Sequence, residues 1–396
     1  MAAVLLPLVA QGGAPGPEAD RAKLLAGVEG IPKFGVPGPV AIFGEGAFPV
    51  IAGGGMGQPG MALCAAGELG KGRVVLFGHT GYLDGKVGDA GLGRLLVNAA
   101  NWCAGGRKPR VGARSAAMVD FFSGEGMEAK RLGGAMGRGA LDGIDVLILN
   151  AQGMTDPDES AAVGEFVSAG GGLIAAATGW AFEQTSGGKD LVGHLAINRA
   201  LASAGLGFTD ATLRHGADRF SAGGSPPVLL NAHAALEALA GRRASGLPRE
   251  DLAQATAAIE LALSIQPAGA SALIDRVKAV LRGMGAAVPS EEKPLRADKA
   301  APERARLAIE ARLSQLGVGL AGGAHPAAAK FPGAVPASAP RAARDVEIDP
   351  RSWGWHSTGL YAAPGETITV TVPGSVAGAG CSVRIGCHTD RLYHLD

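Results

Sequence analysis

Peptide-bond hydrolysis by a zinc peptidase needs two histidines one helical turn apart with a glutamate between them, so that both imidazoles face the metal and the carboxylate activates its water. None of the eight histidines has another four residues further on, and His233-Ala-Ala-Leu-Glu237 is only a His/Glu pair on a helix face. The sequence therefore predicts no peptidase centre within its 396 residues. Amide transfer from glutamine needs a thiolate on the sharp turn after a buried strand, paired with a histidine. The turn after Leu173-Ile-Ala-Ala-Ala177 reads Thr178-Gly179-Trp180 and holds no thiol. A hydroxyl at Thr178 is expected to satisfy backbone donors rather than to attack a carbonyl.

Two further patterns are weaker. Gly55-Met-Gly57-Gln-Pro-Gly60 has the spacing of a dinucleotide loop, but Pro59 interrupts it and a strand, not a helix, is predicted to follow. With 64 glycines in the chain, roughly one or two such matches arise by chance, so no cofactor site is assigned. Cys387, His388 and Asp390 gather metal-ligating types, with His356 and His394 in the same segment. Neighbouring Cys and His on a strand point to opposite faces, which favours a strand-end turn capped by Thr389 and Asp390 over a metal site. Trp353, Trp355 and Tyr361 admit two readings. They are candidate contacts for a glycan or a protein partner, or they fill the space between the sheets of a β-sandwich, and the second is favoured.

These residues need elements to hold them. Residues 39–43, 48–52, 61–66 and 73–78 read as short strands, with a turn at Glu68-Leu-Gly-Lys-Gly72 and a helix from Leu92 to Cys103 that ends at Gly105-Gly106. Helix and strand then alternate: helix 115–125, extended 128–131, strand 145–150, helix 158–169, strand 173–177. That order calls for a parallel sheet with helices on both faces. Asp156-Pro157-Asp158-Glu159 signals a helix start, with Asp156 as N-cap and Pro157 at the first helical position. Residues 228–284 read as three Ala/Leu-rich helical segments and 302–316 as a further helix. Gly, Ala and Pro crowd 319–341, an interdomain linker. Beyond it the period falls to two at Thr367–Val372 and Ser382–Ile385, marking the start of an antiparallel sandwich.

Composition narrows the classes. Hydrophobic residues make up 47% of the chain, enough for real cores, while only 5% are aromatic, so Ala, Val, Leu and Ile must fill them. Thirty-six basic residues balance thirty-six acidic ones without a basic run interleaved with aromatics, which argues against nucleic-acid binding. No stretch is long and apolar enough for a transmembrane helix. Met1–Ala10 is apolar but lacks a basic start, so a signal-peptide remnant and a cytoplasmic protein both stay open. Four cysteines without a CxxC pair set no disulfide framework, and Cys64 and Cys103 read as buried small hydrophobes.

Trp353-Gly-Trp355-His-Ser-Thr-Gly359-Leu-Tyr361-Ala-Ala-Pro-Gly-Glu366, followed by Ile385-Gly-Cys-His-Thr-Asp390, resembles the segment that leads into the peptidase domain of the M-60 type (enhancin-like, mucin-degrading) zinc metallopeptidases and the related channel-associated factors. Gly44–Val50, Gly70–His79, Leu96–Trp102 and Glu165–Leu173 are similar to the N-terminal segments of the same family. The resemblance implies a glutamine-amidotransferase-like α/β domain over 31–227 after a leader or disordered start at 1–30. A helical segment over 228–318, the linker 319–341 and an incomplete β-sandwich/M-60 region over 342–396 would follow. Gly359, Gly386, Cys387, His388 and Asp390 would be structural motif positions, and zinc would be expected only in a catalytic domain lying after Asp396. The implied role is to position a glycoprotein substrate or partner for that domain. The alternatives are a stand-alone interaction protein resembling the channel-associated factors and a degenerate amidotransferase-like hydrolase.

Overall fold

The computed structural model describes residues 16–54, 59–84, 87–241, 246–267, 269, 271–284, 290, 292–296, 300–318, 320, 333, 335–336, 338–349, 351, 354–363, 366, 368–376, 383 and 385. Its first part runs α1 (Pro17–Leu24), β1 (Gly30–Pro32), β2 (Val40–Ile42), β3 (Phe48–Gly53), β4 (Met61–Leu69), β5 (Gly72–Phe77), α2 (Ala90–Cys103), β6 (Arg110–Ala113), α3 (Ala116–Gly124) and β7 (Glu128–Arg131). Then come β8 (Val146–Asn150), α4 (Pro157–Ser168), β9 (Gly172–Ala176), α5 (Gly179–Thr185), α6 (Leu191–His194), α7 (Ile197–Ala202), β10 (Leu206–Phe208) and β11 (Arg219–Ser221). Four helices follow: α8 (Ala232–Gly241), α9 (Arg249–Leu263), α10 (Ala272–Gly283) and α11 (Ala301–Gln315). Residues 17–24, expected in a leader or unstructured start, are helical, and Leu24 is buried with the sheet residues.

Nine strands form one sheet in the order β10-β2-β4-β5-β9-β8-β6-β7, with β3 also on β4, while β1 and β11 pair separately. The parallel sheet expected from the helix–strand alternation is present as part of a mixed sheet. From β5 through β9, β8, β6 and β7 the pairs are parallel, but β10–β2, β2–β4, β3–β4 and β4–β5 are antiparallel. Connection length is the cause. Leu69 pairs with Gly72, leaving Gly70-Lys71 as a two-residue turn between β4 and β5, whereas a parallel crossover takes about a dozen residues or more.

Helices cover both faces, as expected, and the strand sequences show why. Val75, Phe77, Val146, Ile148, Ile174 and Ala176 pack with Leu92, Leu95 and Leu96 of α2 and Met118 and Phe122 of α3. The alternate residues Val74, Leu76, Leu147, Leu149, Leu173 and Ala175 pack with Val163 and Val167 of α4 and Ile197 and Leu201 of α7. A strand buried on both sides must be apolar at every position, and each such Leu, Val or Ile contributes about 1.5–3 kcal/mol of burial.

α8 to α11 close a third core around Leu236, Leu252, Ile259, Ile274, Val277 and Ile309. This helical block is fastened to the sheet by amide side chains. Gln254 accepts from Gly60 N at 2.7 Å and donates to Gly60 O at 3.0 Å. Asn231 Nδ2 donates to Gly44 O and Ala47 O, both at 2.8 Å. No helix among the described residues is long and apolar enough to cross a membrane.

The sandwich strands expected at 367–372 and 382–385 do not appear among the described residues, where 368–373 carry no ladder. Ile368, Val370 and Val372 are exposed. Alternation marks which side chains share a face, but a strand also needs a hydrogen-bonding neighbour and a covering layer, and the described residues supply neither.

Candidate functional site

In an open α/β sheet, ligands are taken up outside the carboxyl ends of the parallel strands. β5, β9 and β8 lie side by side, so their ends bring together His79, Thr178, Asn150 and Gln152. Thr178 is 3% exposed and sits at the turn from β9 into α5. Its Oγ1 accepts from Thr80 N at 3.2 Å, and its own N–H donates to Gln152 Oε1 at 2.9 Å. Asn150 Oδ1 accepts from Gln152 N at 3.2 Å, while Asn150 Nδ2 donates to Asp84 Oδ1 at 3.3 Å. The backbone at Thr178 is extended (φ −110°, ψ 92°), an ordinary conformation that carries none of the strain of a nucleophile-bearing elbow.

His79 follows β5. Its Nδ1 accepts from Gly81 N at 3.0 Å, so the neutral ring carries its proton on Nε2. Burial lowers its pKa, opposed by the charge of Asp84. Phe34 stacks on it at 6.4 Å and Tyr82 meets it edge-on at the same distance. No hydrogen bond joins His79 to Thr178 among the described residues. The polar groups here hold turns in place, as expected of Thr178 from its sequence. Trp180, in the first turn of α5, donates from Nε1 to Val36 O at 3.0 Å and ties that helix to the loop before β2.

A second feature lies further along the same edge, where β6 and β7 end. Arg114, Arg131, Leu132, Gly133, Gly134, Ala135 and Glu159 line an open depression of about 700 Å³. Asp156 caps α4 as expected, accepting from Asp158 N at 2.8 Å. Glu159 turns away from the cap. Its Oε1 accepts from Met136 N and from Arg114 Nη2, both at 2.8 Å.

Of the aromatic candidates, Trp355 is 64% and Tyr361 54% exposed, which replaces the favoured reading of both as sandwich core. Tyr361 donates its hydroxyl to Gly333 O at 3.0 Å. Gly359 takes φ +66° in an exposed stretch. Trp353, Gly386, Cys387, His388, Asp390 and His394 lie outside the described residues. Among the described residues no three His, Cys, Asp or Glu side chains gather as a metal site would require.

The reading of the sequence missed His79, Asn150, Gln152, Arg114 and Arg131. Each stands at or within two residues of the end of a parallel strand, and that position is the signal by which they could have been found.

Residues 13–222 match the family model described as "TRPM8, N-terminal domain", and residues 337–396 match the N-terminal domain of M60-like peptidases. TRPM8 channel-associated factor 2 of Homo sapiens is 27% identical over 399 residues, covering 94% of this chain and 40% of its own length. The Bos taurus factor 2 is 30% identical over 182 residues, 46% of this chain and 18% of that protein. TRPM8 channel-associated factor 1 of Homo sapiens is 26% identical over 390 residues, again 94% of this chain and 40% of its own length. Among solved structures, IMPa from Pseudomonas aeruginosa in complex with an O-glycopeptide aligns with a TM-score of 0.47 and 13% identity, over 75% of this chain and 38% of that one. The chain spans about 40% of the length of factors 1 and 2 of Homo sapiens. With more than half of its residues inside the first match, and an M60-like segment after it, the chain belongs to the family of the TRPM8 channel-associated factors.

Proposed function

We propose that this chain is a non-catalytic positioning region that holds a glycoprotein or protein partner relative to an M60-like peptidase domain. One observation carries the reading. Where chemistry would sit, the Thr178 hydroxyl, the Gln152 amide and the Asn150 amide are each bonded to the turns that surround them. The α/β unit is then a glutamine-amidotransferase-like scaffold whose nucleophile position holds Thr178, with 31–227, 228–318 and 342–396 as successive domains joined through the linker 319–341. No metal is assigned to this chain. The match of 337–396 to M60-like peptidases supports the peptidase context, and the exposed Trp355 and Tyr361 supply aromatic faces for a sugar ring or an apolar side chain.

The test is interferometry of the purified chain over an immobilised O-glycosylated mucin, with electrophoresis of the same mucin after incubation. Binding is expected, with the mucin left intact. Trp355→Ala and Tyr361→Ala should each weaken binding roughly three- to tenfold, the worth of one aromatic contact. Cleavage of the mucin, or glutaminase or esterase turnover lost in Thr178→Ala, would overturn the non-catalytic reading. A second reading, a stand-alone interaction protein, draws on the exposed Leu360, Ile368, Val370 and Val372 beside those aromatics. It predicts equal binding after the glycans are removed.

A further inference from the structure

We infer that β7 is the edge by which two copies of this chain join, antiparallel and across a two-fold axis, into one continuous sheet. This contact is independent of the positioning role above and forms whether or not the chain binds a mucin. The two outer strands of the sheet, β10 and β7, differ. At β10 the outward backbone groups of Phe208 are already taken, since Asn198 Nδ2 donates to Phe208 O and Asn198 Oδ1 accepts from Phe208 N, both at 2.9 Å. At β7 they are open. Leu132 N donates to Ala113 O at 2.8 Å, so Lys130 and Leu132 turn their backbone groups toward β6, while Ala129 and Arg131 turn theirs away from the sheet. Those N–H and C=O groups meet no partner among the described residues.

An open edge is a template for pairing, and a lysine on it ordinarily keeps other strands off. Here the charges select one register instead. A two-fold axis normal to the sheet keeps every side chain on its own face, and residues facing each other in a ladder share a face. Only residues an even number of positions apart can then stand opposite one another. An axis through Glu128 or Lys130 would set that charge against its own copy. An axis through Ala129 sets Glu128 opposite the partner's Lys130 and Lys130 opposite the partner's Glu128, and both side chains are exposed. These are the non-hydrogen-bonded positions, where facing side chains come closest. Ala129 exchanges both of its backbone bonds with the partner's Ala129, and its methyl leaves the axis uncrowded. Arg131 N donates to the partner's Met127 O, a carbonyl without a partner among the described residues, whereas Met127 N is already bonded to Phe122 O at 3.0 Å. Lys130 Nζ donates to Asp142 O at 2.6 Å, and an ammonium group has further N–H donors for the partner's Glu128. A strand of four residues makes a small contact, so the dimer is weak and concentration-dependent.

Sedimentation velocity of the intact chain from about 1 to about 200 μM should show monomer passing into dimer. Lys130→Glu and Glu128→Lys each reverse both symmetry-related pairs, and each should raise the dissociation constant roughly ten- to hundredfold. An equimolar mixture of the two variants restores complementary pairs between unlike chains and should recover association, a result that misfolding of either variant cannot produce. Ala129→Pro removes the N–H at the axis, which β6 does not use, and should leave a monomer with an unchanged circular dichroism spectrum. A wild-type chain that stays monomeric throughout overturns the inference. So does a Lys130→Glu, Glu128→Lys or Ala129→Pro chain that dimerises as wild type does, or a mixture no more associated than its two components.

Discussion

Replacing Asp145 with asparagine keeps the shape of the side chain and removes its charge at a junction of three strands. Asp145 precedes β8, and its own backbone bonds to Arg110 O and to Gly172 N, the starts of β6 and β9. One carboxylate oxygen accepts from Arg110 Nε at 2.8 Å and Arg110 N at 3.1 Å, the other from Arg110 Nη2 at 3.1 Å, and Arg107 lies 3.4 Å away. The carboxylate is 9% exposed, while the arginines reach water. Asparagine can retain one acceptor oxygen, so the loss is one charge-assisted bond and part of a second. At about 1.5–3 kcal/mol for such a bond when buried, discounted for the solvated partner, the expected cost is about 1.5–2 kcal/mol. The Arg110 hydrogen bonds hold the Asp145 pKa below the usual carboxylate range, outweighing the opposing effect of burial. A depressed carboxylate stabilises the fold fully above its unfolded pKa of about 3.9 and loses that contribution as pH falls through the folded value. Urea denaturation of wild type and Asp145→Asn should therefore differ by that amount at pH 7, with the gap shrinking as pH falls below about 4. A gap under about 0.5 kcal/mol at pH 7, or one that persists unchanged to pH 2.5, refutes the reasoning.

Three other expectations are local. Thr178→Val should lower stability by about 1 kcal/mol in urea, because an unsatisfied Thr80 N–H outweighs the apolar gain, and a more stable variant would mark the hydroxyl as one kept for chemistry. Gly78→Ala should abolish soluble expression or cost more than about 3 kcal/mol, since a Cβ there would lie 1.8 Å from Gly38 O on an adjoining backbone segment. Burial pushes the Cys103 thiol up to about 12 and raises Cys64 well above its ordinary value. Neither should react with a maleimide at pH 8 until urea unfolds the chain, as peptide mapping by mass spectrometry would report.

How much of this was legible depended on whether the signal was local. Val146–Asn150 and Gly172–Ala176 announced themselves because a strand buried on both faces has no polar position to spare, and α4 announced itself through Asp156-Pro157. The direction of β2 to β5 is written in the lengths of their connections, and the two-residue Gly70-Lys71 turn already excluded a parallel pair. Residues 178–227 were hard to read because α5, α6 and α7 are 7, 4 and 6 residues long, too short for a helical period to emerge. The site was less legible still. His79, Gln152 and Thr178 lie far apart in the chain and meet only because β9 inserts between β5 and β8, an order no local pattern encodes. Arg131 ends a four-residue strand, Glu-Ala-Lys-Arg, whose polar sequence resembles a loop until its pairing with β6 is seen.

The two ends of the same sheet edge differ in a way that bears on role. At the ends of β5, β9 and β8, Thr178, Gln152 and Asn150 bond to the surrounding turns in a chain of contacts, so a ligand could gain them only by breaking bonds already made. Such linked contacts rigidify their surroundings. At the ends of β6 and β7, Arg114 is held through one Nη2 by Glu159 and Gly134 O, and Arg131 makes no ion pair among the described residues. Binding strength follows the difference between bonds made and bonds given up, so a ligand at the central turn competes with the contacts of Thr178, Gln152 and Asn150. A nucleophile placed at position 178 would accordingly stay silent unless the Thr80 and Gln152 contacts were released with it.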